Sequence, residues 1–128
     1  MNTNAPRNLP LTIAIALLAL TFAITGFGKI AGMPPSPENF TRWGLPPSVM
    51  IAVGTLELLC GIALLIPRVS PLANLVLIAL MLGALRTGIV FREALHIVLP
   101  LALLAALSWV AYVRRERLPF GARKQTAL

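Results

Sequence analysis

Long apolar runs separated by short polar breaks dominate the pattern of this chain. Largely apolar stretches cover residues 9–30, 48–66, 70–91 and 94–113, each within the roughly 17–25 residues that a helix needs to cross the hydrocarbon core of a bilayer. With a basic tail over residues 114–128 they fill nearly the whole sequence. The expectation is an all-α fold: one integral membrane domain over residues 1–128, built as a four-helix bundle. Arg7 before the first run mimics a secretory signal. The run is too long for a signal h-region, however, and lacks a small-x-small cleavage site, so it is expected to remain as the first helix.

The breaks carry their own signals. Ser36, Pro37 and Glu38 supply a hydroxyl cap, a proline for the first helical position and an acid near the positive helix end, and Gly44 marks a stop. A short interfacial helix from about Pro37 to Trp43 is predicted between the first two spans. Phe40 and Trp43 lie three apart on one face of it, so it should rest on the bundle or in the membrane interface, as a connector or as a lid. Pro46 and Pro47 turn the chain into the second span. Pro100 sits well inside the fourth apolar run; a helix starting there would be too short to span, so the helix should begin earlier, with a kink that frees the carbonyl near His96.

Composition agrees with the pattern. The chain is 58% hydrophobic and 12% charged, with a mean hydropathy of +0.86, against about 25% charged residues in soluble domains. The net charge of +7 does not point to nucleic acid, because most basic residues stand at the ends of apolar runs instead of forming a stripe. A single cysteine, Cys60, excludes an intramolecular disulfide, a CxxC pair and a thiolate metal cage, and is read as a packing residue. Arg7, Arg68, Arg114, Arg115, Arg117, Arg123 and Lys124 fall on one side of the four spans, and Lys29, Arg42, Arg86 and Arg92 on the other. The positive-inside rule then places both termini in the cytoplasm, with Trp109 and Tyr112 at the inner headgroup layer. The basic tail is read chiefly as a topology signal, with anionic lipid or a partner protein as the alternative.

One acid interrupts the second span. Glu57 lies roughly 14 Å from the outer end of that helix at 1.5 Å per residue, near the bilayer midplane, where an ionisable group is costly and usually placed for a reason. Gly54 and Gly61 share its face and admit a close neighbour helix. On the third span Ala79 and Gly83 precede Arg86 at helical spacing, with Thr87 next to it. On the first, Thr21, Thr25, Gly28 and Gly32 form a small and polar stripe beside Lys29. Lys29, Glu57, Arg86 and His96 are therefore expected to form an intramembrane polar cluster open to the outer side, with Arg86 the preferred partner of Glu57 because Lys29 and His96 stand nearer the surface. The cluster is either a structural ion pair or a ligand- or proton-handling site. No metal-ligand spacing is present.

The residues GFGKIAG, GLPP, GTLELLCGIALLIP and ANLVLIALMLGAL, covering roughly Thr21 to Arg86, resemble the DoxX and DoxX-like families of small bacterial four-helix membrane proteins. Lys29 and Glu57 match family positions, whereas Arg86 and Thr87 stand where the family tends to carry a histidine-containing end to the third helix. The resemblance implies an accessory subunit of a membrane redox or respiratory system in the bacterial inner membrane. It implies no family-wide catalytic residues. A quinone or other lipophilic molecule near the cluster is compatible with it; no resident cofactor is expected, since the chain offers no haem, flavin or cluster ligand set. Expected partners are the lipid bilayer and a membrane or redox protein, with homo-oligomers allowed and no nucleic acid. The alternative is a small carrier or channel for a lipophilic or weakly acidic solute. An enzyme acting through Glu57 is a weaker third reading, because no nucleophile, base and orienting group occur together.

Overall fold

The structure is a computed structural model and describes residues 9–114. Five helices occur among them: α1 (Leu9–Ala31), α2 (Ser36–Arg42), α3 (Pro47–Ala63), α4 (Ser70–Phe91) and α5 (Leu95–Val113). The reason is the solvent: without water to satisfy amides, an apolar chain must bond its own backbone, and a helix does this locally. α1, α4 and α5 are long and apolar enough to cross a membrane, while α3 is apolar but only 17 residues long. The second predicted span therefore ends early. Leu65 and Ile66 donate to Ile62 and Ala63 in tight turns, because Pro67 has no N–H and disfavours helical backbone in the residue before it.

Glycines stop α1 and α2. Gly32 has φ +70° and Gly44 φ +75°, left-handed values that cost a residue with no Cβ little. The amides that follow turn back onto the helix ends, Met33 to Gly28 at 2.8 Å and Leu45 to Phe40 at 2.9 Å. α2 begins one residue earlier than its sequence signals suggest. Ser36 is its first residue, Pro35 holds the cap position and no side chain caps the helix.

The helices pack chiefly as two pairs, α1 on α3 and α4 on α5, with lesser α3–α4 and α1–α5 contacts. Both pairs are antiparallel. A Cβ built on Gly26 of α1 would stand 2.5 Å from the Gly54 carbonyl and 2.6 Å from the Leu58 amide; one built on Gly61 would stand 3.1 Å from the Ala19 carbonyl. These backbones touch, which is how membrane helices gain dispersion energy when lipid is as apolar as leucine. By contrast, a Cβ on Gly28, Gly32 or Gly83 would meet nothing within 4 Å. The GxxxG spacing of Gly28 and Gly32 is thus not the helix contact; Gly26 makes it. The core between the pairs is formed by Leu18, Phe22, Leu64, Leu77, Met81, Leu107 and Val110.

α5 runs from Leu95 through Pro100 as one helix, as its length requirement predicts. Pro100 offers no amide to the His96 carbonyl four residues back. That carbonyl lies against Gly88 of α4, where any Cβ would collide with it.

Candidate functional site

Glu57 is buried, 4% exposed, in the α1–α3 contact. Its partner is Lys29: Nζ lies 3.0 Å from Oε1. The Thr25 hydroxyl, one turn before Lys29, stands 3.2 Å from the same oxygen and 3.3 Å from the Phe22 carbonyl. Two glycines make the pairing geometrically feasible. Gly26 brings the backbones together, and Gly54, one turn before Glu57, leaves room for the Lys29 stem, since a Cβ there would stand 2.7 Å from Lys29 Cβ. Lysine buries its methylenes along apolar surface while its ammonium seeks a polar partner. Both donors converge on Oε1, and Oε2 has no hydrogen-bond partner among the described residues.

The four expected cluster residues do not come together. Arg86 is exposed on α4 and forms no ion pair or hydrogen bond among the described residues. Ala79 and Gly83, which precede it, are exposed as well, so the small face of α4 is not a helix contact. Thr87 bonds back to the Gly83 carbonyl at 3.1 Å. The expectation of a Glu57–Arg86 pair rested on depth alone. The structure favours Lys29 because α1, not α4, covers Glu57, and the lysine stem spans the difference in depth.

His96 belongs to a second network that joins α2 to the connector between α4 and α5. Arg42 Nε donates to Glu93 Oε2 at 2.6 Å, Trp43 Nε1 donates to Glu93 Oε1 at 3.2 Å, and His96 Nδ1 lies 2.9 Å from Glu93 Oε1. Asn39 accepts from Arg42 Nη2 at 2.8 Å, and its Nδ2 lies 3.4 Å from His96 Nε2. These bonds close a ring if the neutral imidazole carries its proton on Nδ1, donating to Glu93 and accepting from Asn39. The Arg42 bond holds the Glu93 carboxyl below the usual glutamate range, and the same bond raises Arg42. Glu93 is accordingly ionised at neutral pH and the clasp complete. Trp43 packs on Phe40 with ring centroids 5.2 Å apart and edge-on to His96 at 5.0 Å. The predicted shared face of Phe40 and Trp43 is real, and Phe40 is buried.

Sequence reasoning missed Glu93 and Asn39. The available signal was charge: Glu93 is an acid in a basic, non-apolar break, on the same side of the spans as Arg42. What the arrangement offers chemically is a carboxylate within the α1–α3 contact with one oxygen held by Lys29 and Thr25 and one able to accept a bond.

No solved structure matches the chain. The model of the DoxX-like family matches residues 13–111, a span that runs from the first turns of α1 to the end of α5 and contains both polar networks. The chain belongs to the DoxX-like family.

Proposed function

We propose that this protein crosses the bacterial cytoplasmic membrane four times, with both termini inside, and serves as an accessory subunit of a membrane redox or respiratory system, holding a lipophilic ligand such as a quinone beside Lys29 and Glu57. The observation that carries the ligand site is the half-used carboxylate: Glu57 is 4% exposed, yet among the described residues only Oε1 is bonded. Oε2 is not enclosed, so it stays open to a donor from outside the helix pair. The hydroxyl of a quinone in its reduced, quinol form, or of another phenol or alcohol with a lipid-soluble tail, can donate to Oε2 while the tail stays in the bilayer; the oxidised quinone has only acceptors. The redox setting rests on what the resemblance to the DoxX and DoxX-like families implies. α3 counts as the fourth crossing because its 17 residues sit at the short end of the spanning range, and bilayers thin locally around short helices.

The test is retention. Protein purified in mild detergent and extracted with organic solvent is expected to release a lipophilic hydroxyl compound, identified by mass spectrometry, at about tenfold lower occupancy from Glu57→Gln. Equal amounts from both proteins would overturn the ligand site. Sealed vesicles carrying the wild type should show no Glu57-dependent solute or proton flux; such a flux would replace the accessory reading with a carrier.

A further inference from the structure

At the opposite end of the bundle from α2, the start of α4 meets the end of α5 through polar groups. Ser70 is fully buried, Asn74 is 2% exposed and Arg114 is 8% exposed. Arg114 Nη1 donates to the Ser70 hydroxyl at 2.7 Å, and Asn74 Nδ2 donates to the Leu107 carbonyl at 3.0 Å. The second bond fixes the amide orientation, because a carbonyl accepts only from the nitrogen side. It leaves Asn74 Oδ1 buried with no hydrogen-bond partner among the described residues.

A small cavity lies at the same place. It is lined by Pro71, Asn74, Val110, Ala111 and Arg114 and has room of about 10 Å³, close to the least that one water molecule occupies. Apolar voids of that size stay dry, but this one is lined by the residue whose acceptor is orphaned and by an arginine. Its volume excludes a lipid headgroup, a phosphate or a substrate.

We propose that this cavity is a binding site for a single buried water, which donates to Asn74 Oδ1 and accepts from the Arg114 guanidinium. The water joins the Arg114–Ser70 and Asn74–Leu107 bonds into one polar staple. It removes the desolvation cost of a lone amide oxygen, for which a lipid chain offers no donor. The residues concerned are separate from Lys29 and Glu57, so this site stands or falls independently of the proposed ligand.

The experiment uses full-length protein in nanodiscs with ¹⁵N-labelled asparagine. Magnetisation transfer from water to the Asn74 side-chain amide, assigned with an Asn74→Asp sample or by removing the other asparagines one at a time, is expected to reveal a water of long residence. Arg114→Lys, whose ammonium can still donate but not as a planar fork, should retain that water with at least a fivefold shorter residence. Absence of transfer in the wild type, while water reaches exposed side chains normally, would overturn the proposal. So would a direct Arg114-to-Asn74 hydrogen bond detected by scalar coupling, since it would leave the water no role.

Discussion

Glu57 sets the chemistry at the scale of single residues because an acid buried between helices must either lose its charge or find a cation. It finds Lys29, whose side chain is itself 18% exposed. Removing one member strands the other, so the pair should reveal itself as coupling and not as bulk stability. We expect Lys29→Ala and Glu57→Ala each to lower stability in detergent, and the double variant to cost less than their sum by about 1 kcal/mol. Arg86→Ala, on an exposed face, should add independently to Glu57→Ala. The half-buried Cys60 provides the readout, since its alkylation on heating reports opening of α3. Strict additivity for Lys29 and Glu57, or coupling of Glu57 with Arg86, would mean that the ion pair drawn here is wrong.

Between elements, the governing feature is how closely two backbones approach. A methyl group on Gly26 would collide with backbone of α3, and one on Gly28 would point into open space. Gly26→Ala should therefore cost about 1–3 kcal/mol as overpacking that only helix separation relieves. Gly28→Ala should be neutral or stabilising by up to about 1 kcal/mol, because alanine is the better helix former where nothing resists it. Thermal unfolding of the two variants in the same detergent separates them. Similar losses from both would show that α1 meets α3 through the Gly28 face. The comparison also tests the ion pair indirectly, since Lys29 reaches Glu57 only while the helices remain in contact at Gly26 and Gly54.

For the molecule as a whole, the placement of basic residues at the two ends governs which way it faces. The α3–α4 turn with Arg68 and the α5 end with Arg114 lie at one end, and α2 with the α4–α5 connector lies at the other. Basic residues are retained on the cytoplasmic side during insertion. In a Cys60→Ala background, Glu38→Cys should react with a membrane-impermeant maleimide on intact cells and Arg68→Cys only after permeabilisation; both native positions are exposed. The reverse pattern would place α2 and the α4–α5 connector toward the cytoplasm.

Helix existence, the stop at Gly44, the long fifth helix through Pro100 and the burial of Glu57 against a neighbour helix were all legible in the sequence, because each depends on local chemistry: run length, backbone freedom at glycine, the missing amide of proline, the cost of a charge among apolar neighbours. The identity of the partner was not. Depth favoured Arg86 over Lys29, and depth along a helix says nothing about which helix stands opposite. Only the tertiary structure decided that α1 covers α3, that Gly26 and not Gly28 lies at the crossing, and that His96 answers to Glu93 instead of Glu57. The amide of Asn74 went unnoticed for the same reason: among leucines it reads as a minor polar interruption, until α5 brings the Leu107 carbonyl and Arg114 against it. Periodicity and composition determine elements because their causes act within a few residues; pairings across the bundle depend on helix rotation and crossing, which are set by the summed packing of all four long helices.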